Sequence, residues 1–160
     1  MGETVIRRGT AADAKAIFDM IYGLAVYEKM EDQVTGSVES LASDIENGYA
    51  HTFVLDVDGK TVGFALYFFN YSTFKTKRGI HLEDLYVLPE YRGRGFGKQL
   101  FLRMKEEAAA LGCGRLEWCC LYWNAPSIAF YEHMEASCVD EWRIWRFDET
   151  DFAPDPKKGV

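Results

Sequence analysis

No apolar run in this chain approaches the roughly 18 residues that a membrane-spanning helix needs, so no span is predicted. The opening stretch MGETVIRRGT also lacks the apolar core of a secretory signal. Gly2 does not begin a myristoylation pattern, because Ile6 stands where Ser or Thr is required. Cysteine is sparse and unpatterned. Cys113, Cys119, Cys120 and Cys138 form no C-x-x-C pair, and two of them are adjacent. That spacing fits free or buried thiols in a reducing cytoplasm rather than a disulfide framework or a zinc site. His51, His81 and His133 form neither H-E-x-x-H nor H-x-x-x-H, so no metal is expected. Basic charge is short as well: 18 Lys and Arg against 25 Asp and Glu leave a net charge of −7. Phosphate binding needs a basic face, so nucleic acid is not an expected partner. An acidic balance suits a cationic substrate.

What is present suffices for one folded domain. Of the 160 residues, 48% are hydrophobic and 15% aromatic, enough to bury a core and too much for a disordered chain. The domain is expected over residues 1–152. Residues 153–160, with two prolines and two lysines, are expected to fray. There are no internal repeats.

The hydrophobic period then gives the elements. Thr4 to Arg8 reads as a strand. Thr10 and Asp13 have capping-box spacing, and Ile17, Met20, Ile21 and Leu24 follow at helical spacing to about Tyr27. Val38, Leu41 and Ile45 predict a second helix that stops near Asn47-Gly48. Thr52–Val57 and Thr61–Asn70 read as strands joined by an Asp58-Gly59 hairpin turn. Ile80–Leu88 is a third long strand. Phe96, Leu100, Phe101, Met104, Ala108 and Leu111 mark a helix ended by Gly112. Arg115–Tyr122 reads as a strand, Pro126–Met134 as a helix and Trp142–Phe147 as a last strand. The order β-α-α-β-β-β-α-β-α-β predicts an α/β (α+β) domain with a mixed, mostly antiparallel sheet flanked by helices.

The most informative segment is Tyr91-Arg92-Gly93-Arg94-Gly95-Phe96-Gly97-Lys98, between a strand and a helix. Alternating glycines let backbone amides turn inward, and a helix N-terminus favours anions. The spacing is wrong for a dinucleotide fingerprint, which needs G-x-G-x-x-G. It is also wrong for a P-loop, because Arg92 stands at the first glycine and Gln99 at the Ser or Thr. R-x-x-G-x-G fits instead.

That motif resembles the pyrophosphate loop of the GNAT superfamily of acetyltransferases. The resemblance extends over nearly the whole chain to the diamine (spermidine/spermine) and thialysine acetyltransferase branch. It is carried by Tyr27-Glu28-Lys29-Met30-Glu31-Asp32-Gln33-Val34, Val62-Gly63-Phe64-Ala65, Tyr71-Ser72-Thr73-Phe74-Lys75 and Leu82-Glu83-Asp84. It continues through Pro89-Glu90-Tyr91-Arg92-Gly93, Trp123-Asn124-Ala125-Pro126-Ser127, Phe130-Tyr131 and Trp142-Arg143. The resemblance implies a GNAT fold, acetyl-CoA as co-substrate with no metal, a primary amine as acceptor and a homodimer. The chain departs from the family at Val26, where Lys is frequent, and at Glu132-His133-Met134-Glu135, where basic residues and then Gly are common.

The implied reaction is attack of a neutral amine on a thioester. An ammonium group must first lose a proton, which costs roughly 4–5 kcal/mol at neutral pH. A carboxylate beside it can hold the cation and accept that proton. Glu83, in the strand before the phosphate loop, is the candidate base, and the resemblance points to the same residue. Asp84 follows it directly. Regular strand alternation would put the two carboxylates on opposite faces, but the resemblance implies a bulge in this strand that relaxes the limit, and Asp84 is assigned to substrate binding.

The resemblance further makes Tyr131 the acid that protonates the leaving thiolate and Asn124 a CoA contact. It implies that Glu28 receives the far cationic end of the acceptor, beside Tyr27, and that Phe74 lines the acceptor pocket. Arg92, Gly93, Arg94, Gly95, Phe96, Gly97 and Lys98 are the expected phosphate site. Main-chain groups of Leu85 and Val87 are expected to pair with the pantetheine arm as an added strand does.

The enzyme reading is an N-acetyltransferase for a small cationic amine: a thialysine- or lysine-like amino acid, a diamine or a polyamine. The alternatives are an acetyltransferase for a basic peptide or protein, and a non-catalytic acetyl-CoA-binding protein. The charge pattern accords with the first. Residues 28–46 carry six acids and one base, Lys29, while residues 91–105 carry five bases and no acid.

Overall fold

The Asp58-Gly59 turn and the glycines that stop helices fix much of the architecture. In the computed structural model, which describes residues 2–152, Asp58 and Gly59 both take positive φ (51° and 78°), as a two-residue hairpin turn requires. The turn joins β2 (His51–Val57) to β3 (Lys60–Ser72). β1 (Thr4–Arg8) pairs with β2, and β4 (Lys77–Val87) pairs with β3, all antiparallel. β5 (Leu116–Glu117) adds in parallel beside Ile80 and His81, giving the sheet order β1-β2-β3-β4-β5.

α1 (Ala14–Glu28) begins after a short 3-10 turn, where the Thr10 N–H donates to Asp13 Oδ2 at 2.8 Å. α2 (Val38–Asn47) is capped by Ser37, whose Oγ accepts from the Ser40 N–H at 3.1 Å, and it stops at Gly48 with φ 75°. α3 (Phe96–Ala110) follows the glycine segment, and α4 (Ala125–His133) begins at Asn124.

The described residues form two compact units, one ending at Cys119 and one beginning at Cys120. In the first unit, strand alternation sends Val54, Phe64 and Tyr86 to one sheet face, where they pack with Ile17 and Met20 of α1 and with Leu41 and Ile45 of α2. The other face turns Phe53 and Tyr67 towards α3. There the buried Glu107 carboxylate accepts from Arg8 Nη2 at 2.7 and 2.9 Å and from the Tyr67 hydroxyl at 3.1 Å. A buried charge needs such partners, and these tie β1, β3 and α3 together.

The mixed α/β class and the largely antiparallel sheet agree with the sequence. Two strands differ. The expected strand Arg115–Tyr122 pairs only at Leu116 and Glu117. The expected final strand Trp142–Phe147 does not form: the segment has no ladder, with Trp142, Ile144, Trp145 and Phe147 exposed. Its β-branched and aromatic content has no neighbouring strand to pack on, and β-propensity is largely such packing. The tail expected over 153–160 lies outside the described residues.

Candidate active site

The site in the first unit is built on an irregularity in β4. Across from β3, Leu66 pairs with Asp84 but the next residue, Tyr67, pairs with Leu82, so Glu83 is an extra residue without a cross-strand partner. This is a β-bulge, which re-aims side chains. Counting in twos from Tyr86, Asp84 shares the face that packs on α1. Counting from the other side, Glu83 shares a face with His81, whose Nε2 lies 3.6 Å from Glu83 Oε2. The His81 ring stacks on Phe68 of the same face at 4.9 Å. The bulge therefore lets two consecutive carboxylates look to one side.

A third carboxylate joins them from α1, whose last residue is Glu28. The helix ends there because Lys29 takes a left-handed conformation (φ 60°). Burial, and then the charges of Glu83 and Glu28, push the Asp84 carboxyl up to about 7. Burial also raises Glu28 above the ordinary carboxylate range. Among the described residues no cation is ion-paired to Asp84, so the negative charge of this group of acids is available to a cation from outside.

The anion-binding side follows β4 in the chain. After a short 3-10 turn over Pro89–Tyr91, Gly93 (φ 74°) and Gly95 (φ 77°) adopt the left-handed conformation, with open space where a Cβ would lie. Glycine is therefore required there by backbone angle rather than by crowding. The first α3 hydrogen bond runs from the Gln99 N–H to the Gly95 carbonyl at 3.0 Å, so the N–H groups before Gln99 lie ahead of the helical ladder. The donor set of N–H groups at Gly93 to Lys98, with Arg94 and Lys98, fits a pyrophosphate.

Arg92 behaves differently from a free phosphate ligand. Its Nε donates to the Val87 carbonyl at 2.8 Å, and its guanidinium lies over the rings of Tyr86 (5.0 Å) and Tyr27 (5.9 Å). It thereby links the glycine turn to the residue beside Glu28. Leu85 and Val87 pair with Ala65 and Gly63 on one edge of β4. β5 reaches only Ile80 and His81 on the other edge, so among the described residues no strand pairs with that edge beyond His81.

The structure thus brings together Tyr27, Glu28, Glu83, Asp84, Arg92 and the Gly93–Lys98 turn. It does not bring Phe74 to them. Phe74 is fully exposed at the tip of the β3–β4 hairpin, beyond the Lys77 end of β4 and about 20 Å from Glu83 by strand rise. Asn124 and Tyr131 belong to the second unit. There Asn124 is buried and its Oδ1 accepts from the Ser127 N–H at 3.4 Å, capping α4. Tyr131 is half-buried on α4, its ring edge-on to Phe130 at 5.5 Å. Among the described residues no group of three or more His, Cys, Asp or Glu could hold a metal ion. No helix there is long and apolar enough to cross a membrane. All four cysteines are free thiols. Sequence reasoning missed His81 and the inward turn of Arg92. Strand alternation two residues before Glu83 could have found the histidine.

The site thus sits on a mixed sheet whose bulged fourth strand leads through a glycine turn into a helix. The sequence profile of the acetyltransferase (GNAT) family matches residues 18–135, and the chain belongs to that family. It is an N-acetyltransferase by that membership. It is 37% identical to a thialysine N-epsilon-acetyltransferase of Sus scrofa, over 92% of this chain and 94% of the relative. It is 43% identical to an L-ornithine N5-acetyltransferase of Arabidopsis thaliana, over 56% of this chain and 39% of that one. An aminoglycoside N-acetyltransferase solved in complex with CoA has the same fold, with a TM-score of 0.74 at 18% identity, covering 92% of this chain and 96% of its own.

Proposed function

We propose that the protein transfers an acetyl group from acetyl-CoA to the primary amine of a small cationic acceptor, by direct attack in a ternary complex. The acceptor class is a thialysine- or lysine-like amino acid, a diamine or a polyamine. The observation that carries this reading is the β4 bulge. It sets Glu83 and Asp84 on one face with Glu28 near, on the strand that leads through Pro89–Tyr91 into the glycine turn.

When bound, acetyl-CoA supplies an activated acetyl thioester. The N–H groups of Gly93, Arg94, Gly95, Phe96, Gly97 and Lys98 hold its pyrophosphate with the Arg94 and Lys98 side chains, while Arg92 fixes the turn against β4. The open edge of β4 at Leu85 and Val87 receives the pantetheine amides, and Asn124 adds a contact. Glu28, Tyr27 and Asp84 hold the cationic acceptor. Glu83 accepts the ammonium proton, leaving a nucleophilic amine; Tyr131 gives its phenolic proton to the departing sulfur, and the second proton, shed by nitrogen as the amide forms, returns to the Tyr131 phenolate through water. The reading includes one catalytic domain over residues 1–152, a cytoplasmic location and a homodimer.

One assay tests the chemistry. Acetyl-CoA is supplied with thialysine, lysine, ornithine, putrescine, spermidine, spermine and a basic peptide, and thiol release is followed. Release with one or more of the small amines is expected. Release with the peptide alone overturns the small-amine acceptor, and release with none overturns the transferase reading.

A further inference from the structure

We propose that His81 is the proton acceptor behind Glu83, a relay that clears the base between turnovers. The inference rests on the reading of Glu83 as the base. Its ground is the geometry of β4. His81 and Glu83 are two residues apart on one strand face, with Nε2 and Oε2 3.6 Å apart. The Phe68 ring, 4.9 Å away and inclined by only 24°, holds the imidazole in place. Glu83 sits at the bulge without a cross-strand partner, and its side chain is 56% exposed, so it is the movable member of the pair. A distance of 3.6 Å is longer than a hydrogen bond, and catalytic hydrogen bonds often tighten only once substrate is bound.

The surroundings give the relay a purpose. A proton taken by Glu83 lies in a cluster of acids. Its neighbours there, Asp84 and Glu28, are carboxyl groups raised by burial, so a proton passed to either stays in the cluster and removes a negative charge that holds the amine. The His81 side chain is 21% exposed, so a proton it takes can pass on to water, and its ring nitrogen adds a basic acceptor to the water that already reaches the exposed Glu83.

The balance is simple. The ammonium N–H bond breaks as a Glu83 O–H bond forms. That O–H breaks as an Nε2–H bond forms. The imidazolium then loses one proton to water, and no electron changes hands. Among the described residues the groups facing His81 can be taken element by element. On its own strand there is Glu83. From β3 it meets the apolar Phe68 ring. From β5 its register partner is Glu117, which is occupied by Asn70 Nδ2 at 2.6 Å and Arg115 Nε at 3.3 Å. From α1, Glu28 acts on the neighbouring Asp84.

The test uses the full chain with the best amine from the panel above. His81→Gln is expected to lower kcat about tenfold, less than loss of a direct acid or base, with the amine KM within about twofold. Its kcat should also lose the acidic limb of the pH profile. In His81→Ala, added imidazole and methylated imidazoles of graded basicity should restore the rate in order of their basicity, whereas Glu83→Gln should not respond to them. A residue that only packs against Phe68 would show neither the altered profile nor the dependence on base strength. An unchanged pH profile with kcat near wild type in His81→Gln, or no dependence on added base in His81→Ala, overturns the relay. If Glu83→Gln is impaired while His81→Gln is not, Glu83 stands and the relay falls. If the wild type acetylates no acceptor, both fall. Circular dichroism of each variant identifies misfolding, and His81→Gln alone decides the matter if His81→Ala fails to fold.

Discussion

Asp84 departs furthest from the ordinary chemistry of its side chain, raised from 3.8 to about 7 by burial first and then by Glu83 and Glu28. Between those two values the folded chain holds a proton that the unfolded chain has lost. Stability therefore falls as pH rises from about 4 through 7. Asp84→Asn removes the titration, so its stability relative to wild type should rise by roughly 2–4 kcal/mol between pH 4 and pH 8. Urea unfolding at the two pH values measures this, and an identical gap at both would show that Asp84 is not strained by its neighbours. The same proton bears on binding. A cationic amine needs the carboxylate, so the wild-type KM for the amine should fall as pH rises from 6 to 8, and that trend should vanish in Asp84→Asn. Tyr131 supplies a second check. Removing only its hydroxyl, Tyr131→Phe should cut kcat by about 10²-fold or more with little change in either KM. An unchanged kcat would assign the proton to another donor.

Two elements make the site, and they differ in how far the sequence discloses them. The glycine turn is written in its residues, because only glycine takes φ near 75° without strain, and Gly93 and Gly95 both do. Gly95→Ala should cost about 1–2 kcal/mol in that conformation. It should raise the KM for acetyl-CoA while leaving the amine KM within about twofold, so that steady-state kinetics with each substrate varied in turn separates the two. The stops at Gly48 and Gly112 and the Asp58-Gly59 turn were legible for the same local reason. The bulge at Glu83 was not legible from alternation, because it is a property of β4 paired with β3. Leu82-Glu83-Asp84 alone reads as regular strand, and only the family resemblance suggested otherwise. The same logic explains the strands that came out short or absent. Arg115–Tyr122 and Trp142–Phe147 carry strand-forming residues, but a ladder needs a partner at the right register, and only Leu116 and Glu117 find one. Phe74 fell outside the cluster because a long hairpin separates its tip from the bulge.

Across the molecule, the net charge of −7 conceals two opposed fields. The acids of residues 28–46 fall on the end of α1, the short turn over Glu31–Gln33 and α2. The bases of residues 91–105 fall on the glycine turn and α3. The structure thins the second group. Arg103 is engaged by Glu106 and Glu107 at 3.6 and 3.5 Å, and Arg92 is turned under Tyr86, which leaves Arg94 and Lys98 at the turn itself. An acceptor drawn by the acidic side and a co-substrate drawn by the basic side both respond to screening, since the Debye length shrinks from about 20 Å at 0.02 M salt to about 4 Å at 0.5 M. Over that range kcat/KM for a polyamine should fall by about three- to tenfold, and more steeply for a trication than for a dication. The steepness separates field from contact: a single short ion pair at Asp84 would screen alike for both acceptors, whereas a field spread over α1 and α2 acts on every charge the acceptor carries. Equal salt slopes for putrescine and spermidine would therefore confine the recognition of charge to the carboxylates at the bulge.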